Sequence, residues 1–212
     1  NSPHSTFVGI KSAPSPTYMY AAVMAAVCEF IGAIDPARPF QTLALPGLLP
    51  PALADRFTRQ ERDLLLRDGI STFLVDQGGN VLIERVITTY QVNAYGIDDV
   101  SYLDLETKWT VDYMRYAFRA RIALRFPRHK LADDGTNFAP GQAVATPNII
   151  RAELLDVARD LELAGILEGF ETFKKDLLVT RSISDRNRVN CVLPADVVNQ
   201  FRVFAASVQF IL

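Results

Sequence analysis

Apolar residues recur at helical spacing in two stretches of the N-terminal half. The first stretch follows Ser15-Pro16, an N-cap residue and a first-turn proline, and continues to about Ile34. The second follows a capping box formed by Thr58 and Glu61, and Gly69 ends it. The pattern predicts one long helix and one short helix before residue 70.

Two more helices are predicted further along the chain. One opens at Ser101, carries acidic residues in its first turn and arginines near its end, and is stopped by Pro127. The other is capped by Thr146-Pro147 and ends at Gly165 or Gly169. Its apolar stripe is cleanly amphipathic and consists of Ile150, Leu154, Val157, Leu161 and Ala164.

Two pairs of stretches rich in β-branched and aromatic residues predict β-hairpins. Residues 70–75 and 81–90 flank a glycine-containing turn, and residues 174–181 and 188–193 flank a polar turn that precedes Pro194. Helices and hairpins in this order predict an α+β fold with a mostly antiparallel sheet packed against several helices.

The last thirteen residues, Gln200–Leu212, are apolar and strand-like, with side chains alternating between two faces. One face carries Phe204, Ala206, Val208, Phe210 and Leu212; the other carries Phe201, Val203, Ala205 and Ile211. Since unpaired strand edges invite pairing with other chains, this segment must be buried in its own sheet or given to a neighbour.

The charge balance indicates neither nucleic acid nor a membrane surface as a partner. With 22 basic and 24 acidic residues the net charge is −2, which favours neither of them.

Cys28 and Cys191 lie far apart and are predicted to be reduced thiols. Residues 18–34 are marginal as a membrane span because Glu29 interrupts them and no basic flank follows, so we predict a buried, alanine-rich packing helix.

Residues with catalytic or ligating chemistry are scarce. Only His4 and His129 could serve as a histidine base, and the cationic neighbours of His129 make it a poor partner for an orienting carboxylate. Two histidines and two distant cysteines do not make a structural zinc site, and Asp133-Asp134-Gly135 is typical of a plain turn. The sequence predicts no enzyme, cofactor or metal; a divergent hydrolase would need His129 or the Asp133–Asp134 pair beside a nucleophile.

Basic residues suggest a protein-binding surface as one possibility. Those near the end of the third helix fall about one turn apart, which suits either a solvated helix end or contact with an acidic protein. The candidate contacts are Arg121, Arg125, Arg128 and Lys130, with Lys174 and Lys175 as an alternative.

An ordered series of motifs resembles the C-terminal part of contractile-tail sheath proteins from Mu-like phages and prophages, from about Ala37 onward. The motifs are ERDLLLRDGIST (61–72), IERVITTYQ (83–91), NAYG (93–96), YLDLET (102–107), FPRHKLADDG (126–135), TPNIIRAE (146–153), DRNRV (185–189) and NQFRVFA (199–205).

The resemblance implies a structural subunit without catalytic groups. Such subunits polymerise helically around a tail tube, and the sheath contracts to drive the tube through the host envelope. The implied partners are further copies of the chain, the tail tube protein and the baseplate or tail terminator, with no nucleic acid and no membrane insertion. The implied location is the virion tail, assembled in the cytoplasm of the bacterial host.

Carried onto this chain, the resemblance makes residues 200–212 a C-terminal arm that is donated as a strand to a neighbour. The acceptor would be a neighbour's hairpin, either residues 174–193 or residues 70–90, and Pro194 would be a hinge or a simple strand terminator. The arm residues expected to contact the neighbour are Gln200, Phe201, Val203, Phe204, Val208, Phe210 and Leu212.

The resemblance also implies a domain organisation. Residues 1–14 would be a flexible start left by removal of an N-terminal part, residues 15–197 the inner, tube-facing sheath domain, and residues 198–212 the linker arm. The alternatives are another tail component, such as a tube or baseplate adaptor that forms closed rings, and the divergent hydrolase.

Overall fold

The computed structural model describes residues 1–209 of the chain. The chain divides into two compact units, the first formed by Asn1–Trp109 with the chain from Asn199 onward, the second by Thr110–Val198. Sequence reasoning expected one domain over residues 15–197. The division between the two units falls inside a helix, because one apolar cluster includes residues from the start of that helix and a separate cluster includes residues from its later turns.

The first residues are hydrogen-bonded to the rest of the first unit, and the flexible start expected for residues 1–14 stays a prediction. Strand β1 (Phe7–Val8) pairs in parallel with β2 (Ile70–Val75), and the Gly9 amide donates to the Ser71 carbonyl at 3.0 Å. The Asn1 side chain donates to the Val92 carbonyl at 2.8 Å. These long-range bonds have no local sequence signal.

Helix α1 (Thr17–Ile34) begins after Pro16, and Ser15 does not cap it because the Ser15 hydroxyl accepts from the Leu49 amide. The expectation of a buried helix is corrected. One face packs into the core, whereas the alanine-rich remainder is exposed, including Tyr18 and Phe30. The buried face consists of Tyr20, Met24, Cys28 and Gly32.

The rest of the first unit follows the predicted order. A short 3-10 helix (Leu53–Asp55) precedes α2 (Arg59–Arg67), and the predicted capping box is present, with Thr58 accepting from the Glu61 amide and Glu61 accepting from Thr58. Strand β2 pairs antiparallel with β3 (Val81–Arg85), in the sheet order β1-β2-β3. The hairpin ends at Arg85, five residues before the predicted end at Tyr90.

Helix α3 (Leu105–Arg125) starts four residues after Ser101 and contains the division between the units. In the second unit, β4 (Lys130–Leu131) pairs in parallel with β5 (Val144–Ala145). Helix α4 (Pro147–Leu163) is capped by Thr146 as predicted. Its stripe packs against the second core cluster, which includes Met114, Phe118, Leu167, Phe170 and Phe173.

The end of the second unit differs from the prediction. Strand β6 (Leu167–Glu168) leads into α5 (Phe170–Asp176), so Lys174 and Lys175 lie in a helix rather than in a strand. The predicted second hairpin is shorter, formed by β7 (Leu178–Arg181) and β8 (Val189–Val192). Strand β9 (Asp196–Val197) then pairs with β6. The described chain is α+β with small, mostly antiparallel sheets, as predicted.

Candidate assembly interface

The terminal arm is exposed in its described part. Residues 200–209 form no strand with any other described residue, although the sequence pattern predicted one. Val203, Phe204 and Val208 are 79%, 80% and 93% exposed. The predicted arm residues Phe210 and Leu212 lie outside the described residues. An apolar segment this exposed, with unpaired backbone groups, is a surface that favours association.

The beginning of the arm, in contrast, is bound to its own chain. We call Gln200–Arg202 the arm root. The Arg202 guanidinium Nη2 lies 3.0 Å from Asp104 Oδ1 and 3.3 Å from Glu106 Oε1. Gln41 Nε2 donates to the Phe201 carbonyl at 3.2 Å, and Gln200 approaches Thr107 at 3.5 Å. The site that holds the root, named here the arm socket, consists of Gln41, Asp104, Glu106 and Thr107.

The arm socket is a shielded ionic cluster. The side chain of Arg202 is 18% exposed and that of Glu106 is 0% exposed. Arg85 holds Asp104 with two parallel bonds of 2.8 and 3.0 Å, which raises the pKa of Arg85. Burial raises the pKa of Glu106, and the Arg202 charge and the Phe40 amide oppose that rise. Sequence reasoning placed Arg202, Asp104 and Glu106 in no site.

The two hairpins differ in whether their edges are free. On the first hairpin, β1 covers the start of β2, at Ile70 and Ser71, and β3 is bonded to residues 42–45, with Leu45 N donating to the Val81 carbonyl at 2.8 Å. The β7–β8 hairpin pairs with no third strand in the described part of the chain. Its cross-strand pair Leu178 and Val192 is 53% and 58% exposed.

The predicted basic contacts fall into two groups. Arg121 and Arg125 are paired within the second unit, at 2.9 Å to Asp160 and 2.9 Å to Glu153 respectively. Lys130 donates to Gln142 at 3.2 Å, and Lys174 lies 3.7 Å from Glu171. Arg128 and Lys175 are exposed. The structure therefore does not bring the six cations together into one free stripe.

Pro194 lies between paired segments. Strand β8 precedes it, and β9 follows it, with the Val198 amide donating to the Ile166 carbonyl at 3.1 Å. The pairing of β9 fixes the backbone directly after the proline. Whether Pro194 acts as a hinge stays a prediction.

The residues considered for catalysis are occupied elsewhere. His129 packs edge-on against Phe126, with ring centroids 5.2 Å apart. Asp133 forms ion pairs with Arg181 at 3.0 Å and Arg186 at 3.2 Å, and Asp134 accepts from the Asn148 amide.

Within residues 1–209, no cluster of three or more histidine, cysteine or acidic residues is arranged to hold a metal ion. Over the same range α1 alone is long and apolar enough to cross a membrane, a property that core helices share.

An α+β chain with an exposed apolar segment and an unpaired two-stranded sheet is typical of a subunit of a larger protein assembly. Comparison with known proteins specifies the class. Residues 98–211 match the phage tail sheath C-terminal domain, and residues 4–89 match the phage tail sheath central domain. The chain belongs to the phage tail sheath family.

One relative of known name agrees with this membership, and two solved structures are also similar to the chain. The Mu-like prophage FluMu tail sheath protein of Haemophilus influenzae is 50% identical over 200 residues, which is 94% of this chain and 41% of that relative. A chain of the anti-feeding prophage baseplate, solved by cryo-EM, matches with a TM-score of 0.63 at 11% identity, covering 100% of this chain and 56% of that one. A sheath tail protein from Desulfitobacterium hafniense matches 76% of this chain and 37% of its own, with a TM-score of 0.49 and 15% identity.

Proposed function

We propose that this chain is the part of a Mu-like contractile tail sheath subunit that joins neighbouring subunits around the tail tube. The 50% identity to a prophage tail sheath protein carries the proposal. Because the chain spans 41% of that relative, contraction, tube binding and attachment to a baseplate or tail terminator belong to the proposal. So do its structural, non-catalytic role and its location in the virion tail after assembly in the host cytoplasm.

The subunits are joined, in this proposal, by strand addition of the arm to the β7–β8 hairpin of a neighbour. Two acceptors were open on sequence grounds, and the free edges of the second hairpin support it over the first. On the β2–β3 hairpin, β1 pairs with the start of β2 and residues 42–45 bond to β3, so a strand added along the whole of either edge would have to displace one of them. The β7–β8 hairpin would need no such displacement, and backbone groups on a free edge pair readily with an extended peptide.

Side-chain chemistry supports the same acceptor. The exposed pair Leu178 and Val192 gives one face of the hairpin an apolar surface. Alternate residues of a paired strand face the same side, so Phe204 and Val208 would lie together over one face. A one-residue slip would replace them with Val203 and Ser207 or with Ala205 and Gln209, which makes the register specific.

Native cysteines make this proposal testable in the assembled full-length sheath protein. Cys191 lies on the acceptor strand β8 and is exposed, whereas Cys28 is buried, and its pKa is raised to about 12 by burial and by the Glu106 charge. A single cysteine is introduced at residues 203, 204, 205 or 206, and the assembly is oxidised at mildly alkaline pH because burial raises the pKa of Cys191.

Disulfide-linked pairs of chains should form at alternate arm positions and disappear on Cys191→Ser. The matched control is Leu82→Cys in the Cys191→Ser background, which places the thiol on the covered hairpin. Cross-linking to position 82, or equal cross-linking at all four arm positions, would reject strand addition to β8.

Contact with the tube is proposed for the exposed cations Arg128 and Lys175. Within residues 1–209 neither makes an ion pair, whereas Arg121 and Arg125 are paired with carboxylates. Arg128→Glu and Lys175→Glu should weaken sheath–tube association at low salt and much less at high salt. A tube protein carrying the opposite charge reversal should restore the association. If neither Arg128→Glu nor Lys175→Glu changes the association, these residues are not at the interface.

A second candidate, a baseplate component, is favoured by one observation, the likeness of the whole chain to a baseplate chain. At 11% identity that likeness concerns the fold alone. Negative-stain electron microscopy of the full-length protein separates the two functions: a sheath subunit forms extended tubes, and a baseplate component forms closed rings.

A further inference from the structure

We propose that the arm socket is a binding site for the arm root of the same chain, and that Arg202 is a positioning residue that fixes where the free arm leaves the subunit. The free arm is then Val203–Leu212. This inference rests on the proposed strand addition for its purpose, but the binding itself concerns a single chain.

The socket presents two carboxylates at the place that Arg202 occupies. Asp104 and Glu106 are both shielded from solvent, and the positive charge of Arg85 pairs with both oxygens of Asp104. Arg202 contacts both carboxylates through one nitrogen and adds a second cation beside Arg85. Since a buried charge is tolerated when it is paired, the site selects a guanidinium over an apolar residue.

The residues on both sides of Gln41 are held by backbone hydrogen bonds to the rest of the first unit. Thr42 has φ of 69°, an unusual conformation for a β-branched residue, and its amide donates to the Ile83 carbonyl at 2.8 Å. On the other side of Gln41, the Phe40 amide donates to Glu106 Oε1 at 3.0 Å. Both neighbours of Gln41 are thus held by the core, and its side chain is left to bond the Phe201 carbonyl.

Fixing the root sets the reach of the arm. Residues 203–212 extend to about 33 Å at most. Without the socket, the last fixed backbone group before the arm would be the Val198 amide, and the stretch to residue 212 would hold fourteen residues instead of ten. The socket therefore limits which surfaces of a neighbour the arm can contact, and it does so through one ionic group.

Trypsin cleavage after Arg202 measures the binding directly, because the protease must take the arginine side chain out of the socket. Glu106→Gln keeps the acceptor oxygen for the Phe40 amide but removes the charge that faces Arg202. Asp104→Asn weakens the second contact. Loss of residues 203–212 is followed by mass spectrometry during limited proteolysis, with Trp109, the single tryptophan, reporting that the first unit stays folded.

Cleavage after Arg202 should accelerate about tenfold in Glu106→Gln and further in the double variant, since hydrogen bonds to charged groups are the stronger ones. Glu153→Gln is the matched control. It neutralises a carboxylate with similar shielding that pairs Arg121 and Arg125 in the other unit, and it should leave this cleavage unchanged. Equal cleavage rates in folded wild-type, Glu106→Gln and double-variant proteins would overturn the inference.

The disulfide assay separates this inference from the proposed function. If the socket positions the arm, Glu106→Gln should lower the yield of the Cys191 cross-link and make the yields at alternate arm positions more similar. Arg202→Lys, which keeps the positive charge, should give a higher cross-link yield than Arg202→Gln. If the wild-type chain gives no cross-link while trypsin cleavage responds to Glu106→Gln, strand addition to β8 fails and the socket stands.

Discussion

Gly32 is the position on α1 where a single added methyl group should test the packing of the first unit. An ideal Cβ at Gly32 would lie 2.6 Å from Cζ3 and 2.7 Å from Cε3 of Trp109, with Phe40 Cζ at 3.4 Å on another side. Ordinary carbon–carbon contacts are about 3.5–4.0 Å. Gly32→Ala therefore forces the indole to move by about 1 Å.

Two effects of opposite sign decide the outcome. Alanine in a helix interior is favoured over glycine by about 1 kcal/mol. Overpacking a close contact costs about 1–3 kcal/mol, and the Trp109 ring is held edge-on against Phe40 with centroids 5.6 Å apart. We expect overpacking to dominate, so that Gly32→Ala lowers the free energy of unfolding by about 1–2 kcal/mol.

Urea unfolding followed by far-UV circular dichroism measures this change, and Trp109→Leu supplies the matched background. Without the indole, Gly32→Ala should become neutral or stabilising, so the two substitutions should be strongly coupled. Stabilisation of the wild-type chain by Gly32→Ala, or the same cost in both backgrounds, would refute the packing argument.

Two further predictions concern buried polar groups. The Ser71 hydroxyl bonds both backbone groups of Ile87, so Ser71→Ala should lower the free energy of unfolding by about 1–3 kcal/mol in urea, with exposed Ser207→Ala as a neutral control. Burial raises the pKa of Glu106 above its ordinary 4.5, so the folded chain holds that proton more tightly. The contribution of Glu106 to stability should therefore fall as pH rises from 4.5 through the raised pKa and then level, so the free energy of unfolding of the wild type minus that of Glu106→Gln should fall over this range; a difference that does not change with pH would contradict it.

Local sequence patterns predicted the elements that are stabilised by residues close to them in sequence. The capping residues Thr58 and Thr146 each accept the bond expected of them, and the stripe of α4 lies in the core. The sequence failed where a distant residue overrides a local preference. Ser101 and Asp104 resemble the start of a helix, yet Asp104 is taken by Arg85 and Arg202, and α3 begins at Leu105.

The same cause hid α5 and the arm socket. The Phe170 amide at the start of α5 is capped by the Glu162 carboxylate, so residues read as a strand form a helix. Arg202 meets partners that precede it by 98 and 96 residues. No spacing rule connects such positions, so sequence reasoning selected residues 200–212 by their alternation and missed the site that holds the arm root.

In the proposed assembly, the ionic root and the apolar arm would contribute two kinds of force. Burying a side chain such as Phe204 or Val208 contributes about 1.5–3 kcal/mol, and only a surface that the arm can reach provides that gain. Anchoring at Arg202 rather than at Val198 shortens the tether that runs to residue 212 from fourteen residues to ten. The local concentration of a tethered group falls roughly as the −3/2 power of tether length, so anchoring would raise it about 1.7-fold at surfaces within reach. In that proposal the charged root would favour a nearby neighbour, and the apolar arm would supply the affinity.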